Sequence, residues 1–286
     1  MIDTAKYRLG LILVTTSAIA WSTAGLFTRI VALDSATMLA WRGIFGALGM
    51  LLVILVMDRK NTLSGFRKLG WPGWLYAALG ALGMIFFITS FRYTTVAHVA
   101  VIYATAPFIA AALGWAVSRE RPGGSAIAAS FAALMGVAVM VGLGIEGGLV
   151  GALLAFGMTI CMALLMVIAR HYREIPVMPA ACLSALLSAL VCWPIGDPLA
   201  VSNYELLVLA AFGLVNSAIG LALFTLGARL LPAIETALIG SLDAPLAPLW
   251  VWLVFNETPS ASTMLGGAIV FVAVVSHVVA TARRQP

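Results

Sequence analysis

One stretch of this chain is written twice, and few folds are open to a chain that repeats itself against an apolar background. Residues 82–122 recur as 219–259 at a constant offset of 137 positions. Leu82 and Gly83 fall on Ile219 and Gly220, Phe87 on Phe224, Arg92 on Arg229, Ala100 on Ala237, Trp115 on Trp252, Glu120 on Glu257 and Pro122 on Pro259. Pro107 answers Pro245 one residue late. Internal similarity of this kind is the usual sequence trace of a duplicated membrane transporter.

The duplication needs a membrane because the chain has too little polar surface to clothe a soluble globule. It is 63% hydrophobic and 9% charged over 286 residues, with a mean hydropathy of +1.08. A spanning helix takes about 20 mostly apolar residues. Windows of that kind cover residues 9–30, 36–57, 73–91, 95–117, 125–143, 149–169, 179–195, 206–228, 233–255 and 263–282. The expected fold is therefore all-α and polytopic, with ten transmembrane helices in two inverted five-helix repeats, one over 1–145 and the other over 146–286. Links of a few residues leave no room for an aqueous domain. Lys6 and Arg8 ahead of an apolar run that contains Ala18-Ile19-Ala20 imitate a secretory leader. The run continues to Ile30, however, and its removal would leave nine helices where the repeat needs five and five.

The basic residues orient the chain. If both ends share one side, that side collects Lys6, Arg8, Arg59, Lys60, Arg67, Lys68, Arg119, Arg121, Arg170, Arg173, Arg229, Arg283 and Arg284, and the other side collects Arg29 and Arg92. Positive loops stay in the cytoplasm, so both termini are expected there, in a bacterial inner membrane. An odd number of helices per half inverts the second half relative to the first. The duplicated link agrees: it reads Arg119-Glu120-Arg121-Pro122 inside and Asn256-Glu257-Thr258-Pro259 outside, having lost both arginines.

These paired patterns, an Arg step, a helix with a central proline, a Trp near its end and then Glu-x-Pro, resemble the two EamA-type halves of the drug/metabolite transporter superfamily. Within that superfamily the chain looks most like the YddG-type bacterial exporters of aromatic and other amino acids. The resemblance implies that the third, fourth, eighth and ninth helices surround a central substrate cavity. One departure is that 156–163 lacks the Ala-x-x-Trp seen at Ala18–Trp21, which puts the equivalence of the first and sixth helices in question.

Polar side chains at membrane depth are costly, about 2.5–3.5 kcal/mol each at a helix centre on insertion scales, so each needs a partner or water. Asp243, between Ser241 and Pro245, is a candidate substrate group, because a proline frees backbone groups and invites a cavity. His98 occupies the repeat position of Glu235, with Tyr103 about one and a half turns on. Trp21, Phe87 and Asn216 are further candidate substrate-binding residues. Arg42 would either clamp a carboxylate bidentately or pair with an acid such as Asp243. Glu235, in the first turn after Pro232, has a structural reading as a helix-dipole acid, and pairing is the expectation for both it and Arg42.

Bland readings prevail elsewhere. Trp71 and Trp74 read as interface anchors, Gly147 and Gly151 as a close helix contact, Cys161, Cys182 and Cys192 as reduced packing residues, His171 as a solvated loop residue and His277 as peripheral. No phosphate loop, metal-ligand cluster or nucleophile–base arrangement appears in the sequence. The expectation is a transporter and not an enzyme, without cofactor, metal or nucleic-acid partner, monomeric, with the lipid bilayer and small molecules as its partners. Sugar-phosphate carriage would need several intramembrane lysines or arginines, and Arg42 is the only one. A zwitterionic amino acid needs one group for its carboxylate, one for its ammonium and apolar room. Export of neutral and aromatic amino acids by alternating access is therefore the leading reading, and export of lipophilic or quaternary cations is the alternative.

Overall fold

The computed structural model describes residues 4–57, 62–90, 92–94, 96–119, 121–141, 148–256 and 258–284. Arg59, Lys60, Glu120, Gly147, Glu257 and the boundary between 145 and 146 lie outside them. Every regular element of the described residues is a helix. Backbone polar groups in lipid must be satisfied within their own segment, which long apolar helices achieve.

In chain order, the spans are as follows. The first is Thr4–Ser22 continued by Ala24–Ile30, the second Ser35–Met57 and the third Gly70–Ser90. The fourth is Val96–Tyr103 with Ala106–Ser118, the fifth Gly124–Val141, the sixth Leu149–His171 and the seventh Val177–Cys192. The eighth runs from Asn203–Phe212 through a π-helix, Gly213–Leu221, to Ala222–Ala228. The ninth is Ala233–Gly240 with Asp243–Phe255, and the tenth is Ala261–Arg284. Among the described residues nine of these are long and apolar enough to cross a membrane, and the seventh is shorter at 16 residues, about 24 Å at 1.5 Å per residue.

The fourth and ninth spans are each broken, and the breaks keep the repeat. Val96–Tyr103 maps onto Ala233–Gly240, and Ala106–Ser118 onto Asp243–Phe255, at the same offset of 137. At each break one amide folds back three residues, Thr105 to the Ile102 carbonyl (3.0 Å) and Leu242 to the Ile239 carbonyl (3.1 Å). Proline explains the placement, since its ring lacks the N–H and crowds the carbonyl four residues earlier. For Pro107 that carbonyl is Tyr103, the last residue of its half-helix, and for Pro245 it is Ser241, the first residue past Gly240. The one-residue slip of the prolines leaves the breaks in register. Both C-terminal ends finish in the same left-handed turn, Arg119 at φ 55° and Asn256 at φ 55°.

Packing follows a two-fold relation between the halves. The fifth span packs on the tenth and the second on the seventh. The third packs on the sixth as the first packs on the eighth, and the third on the seventh as the second packs on the eighth. By its contacts the first span is thus the counterpart of the sixth, although the Ala-x-x-Trp pattern is missing there. The fifth and tenth spans approach most closely at glycines: a Cβ on Gly136 would lie 2.7 Å from the Gly266 carbonyl oxygen and 2.9 Å from the Val270 amide.

The ends carry the expected polar chemistry. The Asp34 carboxylate caps the second span by accepting from the amides of Ala36 (2.9 Å) and Thr37 (3.0 Å). Burial opposes its charge, yet the Thr37 hydroxyl, these two amides and nearby Arg92 together hold the carboxyl below its usual range. Trp71 and Trp74 are exposed, 65% and 54%, at the start of the third span, where an interface anchor belongs. His171 is exposed and bonded to Ser118. The three cysteines are free and buried. A Cβ on Gly151 would lie 2.6 Å from that of Thr94, so the close contact at this glycine is with the turn between the third and fourth spans and not with a helix.

Candidate functional site

Between the halves, Trp21 and Asn216 lock the first span to the eighth. The Trp21 indole N–H donates to the Asn216 backbone carbonyl at 3.0 Å, and the Asn216 side-chain amide donates to the Ala20 carbonyl at 2.9 Å. A π-turn leaves its carbonyls looser than an α-turn does, and such segments cluster at functional sites; here one of those carbonyls is the acceptor for Trp21. The indole also packs against Phe224, ring centroids 4.7 Å apart. Small residues allow the approach: a Cβ on Gly220 would lie 2.7 Å from the indole Cδ1, and one on Gly213 would lie 2.6 Å from the Arg42 carbonyl.

Arg42 is buried, at 5% exposure, and is not paired with Asp243 or any other acid among the described residues. Its Nε donates to the Ser217 hydroxyl at 3.2 Å, and its guanidinium carbon lies 5.0 Å from the Phe212 ring centroid. The expected charge pairing is replaced by a hydroxyl and an aromatic face. The side chain borders a cavity of about 30 Å³ whose wall includes Trp21, Ser184, Ser188, Asn216 and Ser217.

The remaining candidates gather around the broken spans. Tyr103 ends the first half of the fourth span and borders two apolar clusters, one built on Val99, Ala155 and Met158 that Phe87 and Met162 also border, and one that includes Phe224 and is bordered by Trp21. A Cβ on Gly240 would lie 3.9 Å from its hydroxyl. Asp243 opens the second half of the ninth span, three residues past Gly240. The acid therefore sits at a helix N-terminus, where the dipole favours it, and not inside a continuous helix. His98 lies a turn and a half before Tyr103 and shares a hydrogen bond of 2.8 Å with the Thr94 hydroxyl through Nδ1.

Glu235 has partners that the sequence did not indicate. Tyr7 on the first span donates its hydroxyl to Glu235 Oε2 at 2.6 Å, and His277 Nε2 on the tenth lies 3.8 Å from Oε1. His277 is 5% exposed, and neither ring nitrogen has a hydrogen-bond partner. Its helix is peripheral, as expected, but the imidazole faces inward. Trp250 on the ninth span also reaches the first, donating to the Ser22 hydroxyl at 2.7 Å. Tyr7, Ser217, Trp250 and His277 were not candidates from the sequence. Their partners are 228, 175, 228 and 42 residues away, and only the polarity of each residue at membrane depth could have flagged it.

The structure thus brings Trp21, Asn216 and Arg42 to one cavity and Phe87, Tyr103 and Asp243 to the adjacent breaks, with Trp21 and Met162 common to both walls. Glu235 stands apart with Tyr7 and His277. Among the described residues no three His, Cys, Asp or Glu side chains converge as metal ligands would. No curated protein matches the chain. One solved structure, described only as a crystal structure of a protein, is similar at 19% identity with a TM-score of 0.80, over 96% of this chain and 98% of its own, and at that identity the likeness shows the fold. The sequence matches the EamA-like transporter family twice, over residues 8–142 and 149–278, once for each half. The chain is a multi-pass membrane protein that belongs to the EamA-like transporter family of the drug/metabolite transporter superfamily.

Proposed function

We propose that the protein is an inner-membrane exporter of neutral and aromatic amino acids that works by alternating access, with both termini cytoplasmic. The observation that carries this reading is the mirrored interruption of the fourth and ninth spans: Tyr103 ends one half-helix with its hydroxyl 3.9 Å from the Cβ position of Gly240, which ends the other, and Asp243 starts the half-helix that follows. Broken helices near the midplane supply half-helix termini for a charged solute and points at which packed helices rock. Asp243 suits an ammonium group, the Arg42 side of the interior suits a carboxylate, and Phe87, Tyr103 and Trp21 give apolar walls. His98 and Asn216 complete the polar lining. No phosphate-sized cluster of basic groups is available in the sequence, which disfavours doubly charged solutes.

The test is counterflow of labelled leucine and phenylalanine through purified protein in liposomes, alongside a labelled quaternary ammonium compound. Accumulation of the amino acids above protein-free vesicles is expected. Movement of the cation with no amino-acid flux would overturn the assignment in favour of a cation exporter, for which Asp243 and the aromatic walls would suffice. An imposed pH gradient in the same vesicles decides coupling; an unchanged rate means facilitated diffusion.

A further inference from the structure

Arg42 is a fixed charge inside the bundle with no carboxylate beside it among the described residues. A guanidinium offers five N–H donors and cannot shed its proton to escape burial. Among the described residues only one of those donors is used, Nε to Ser217, and the ring of Phe212 covers part of one face. Arg42 lines the cavity, and the other four donors are on its terminal nitrogens. Around that space stand hydroxyls from Ser184, Ser188 and Ser217, together with the Trp21 edge, and no acid. A buried charge of this kind calls for a counter-charge.

We propose that Arg42 is the centre of a binding site for one small monoanion, either a halide ion or a carboxylate group. Size selects the class. The cavity is about 30 Å³, against the roughly 10–15 Å³ that one water needs on this measure, so a chloride ion or a carboxylate head fits and an entire amino acid does not. The planar fork of the guanidinium matches a carboxylate bidentately, and the hydroxyls of Ser184 and Ser217 serve either anion, that of Ser188 being donated to the Ala185 carbonyl at 2.8 Å. If the anion is the carboxylate of the carried solute, its side chain must extend past Trp21 towards Tyr103, along the wall the two regions share. That source rests on the amino-acid reading above, whereas an inorganic anion does not.

Purified full-length protein in detergent, exchanged at constant ionic strength from sodium sulfate, whose anion is doubly charged and carries no carboxylate, into sodium chloride or sodium acetate, tests the site by thermal unfolding. A saturable rise in Tm with chloride or acetate is expected, weakened about 10–150-fold in half-saturation by Arg42→Gln. Arg42→Lys should retain part of it. Should Arg42→Gln fail to fold, Ser217→Ala, which frees Nε, serves in its place and shifts the half-saturation in the same assay. Liposome counterflow then separates the sources. If the solute carboxylate occupies the site, chloride competes with leucine and the decarboxylated amine is not carried; if an inorganic anion does, leucine flux requires chloride and is not inhibited by it. Loss of leucine transport with the chloride effect on Tm intact would sink the amino-acid reading and leave the site standing. The absence of any saturable Tm rise with chloride, acetate or leucine over the sulfate reference, or a rise that Arg42→Gln leaves unchanged, would overturn the site itself.

Discussion

Replacing Gly266 by alanine tests the two-fold architecture at its tightest crossing. The new Cβ would collide with the Gly136 carbonyl oxygen and lie 2.5 Å from the Met140 amide and 2.6 Å from Met140 Cγ. Two of these neighbours are backbone, so the fifth and tenth spans must part by about 1 Å to restore ordinary contact of roughly 3.5 Å. A gap of that size forfeits about a quarter to a half of the dispersion energy of each facing atom pair, itself about 0.1–0.2 kcal/mol. Over some tens of pairs the loss is about 1–3 kcal/mol, the usual range for an overpacked core, or a factor of about 5–140 in the folded ratio. Equilibrium unfolding in mixed micelles with rising denaturing detergent reads it as an earlier midpoint. Gly25→Ala is the control, because nothing lies within 4 Å of its Cβ position; it should be neutral or stabilising by up to about 1 kcal/mol. Equal stability of Gly266→Ala and wild type, or equal loss in both variants, would refute the reasoning.

Four further outcomes are expected. Tyr7→Phe removes the donor to Glu235 and should lower unfolding stability by about 1.5–3 kcal/mol, read in the same micelle titration; no change would mean that the contact contributes nothing. Asn216→Ala severs the bonds of its side-chain amide to Ala20 (2.9 Å) and Thr23 (3.5 Å) on the first span and should cost about 1–3 kcal/mol, with a matching drop in Tm. Because the folded-state carboxyl of Asp34 titrates below its usual range, its stabilisation is fully present above the ordinary aspartate value of about 3.9 and is lost as pH falls through the lower folded value. The stability gap between wild type and Asp34→Ala, about 0.5–2 kcal/mol at neutral pH, should therefore close in acid, and a gap that widened there would contradict the assignment. A reporter fused after Arg284 should signal from the cytoplasm and one at Gly147 from the periplasm, whereas a periplasmic C-terminal signal would reverse the orientation.

The spans were legible because each is a long apolar run, and the run bounded by Ala233 and Phe255 matches its window to the residue. The proline pair located the breaks in the right helices. That the breaks fall where they do follows from proline crowding the carbonyl four residues earlier, Tyr103 for Pro107 and Ser241 for Pro245, which depends on three-dimensional geometry and not on pattern. Trp21 and Asn216 were both legible as candidates, yet their mutual bond spans 195 residues and no local rule encodes it. The π-helix at Gly213–Leu221 left no mark in the sequence, since its apolar and small residues suit an α-helix equally well. Arg42 was visible as an expensive residue, but the absence of an acid beside it is a fact of packing.

The agreement of the two breaks in register has an energetic meaning under alternating access. Two halves related by inversion exchange roles when the carrier turns over, so a chain whose halves were identical would have inward-open and outward-open states of equal free energy by symmetry. Whatever preference this protein has for one face must then come from positions where the repeat is not kept. Around the breaks most positions differ, and the differences that change polarity or charge include His98 against Glu235, Tyr103 against Gly240, Ala106 against Asp243 and Arg119 against Asn256. Each 1.4 kcal/mol contributed by such a difference moves the ratio of the two states about tenfold. Under the proposed mechanism the resting orientation is the signed sum over all such mismatches, and only restoring identity at every one of them would make the two states degenerate.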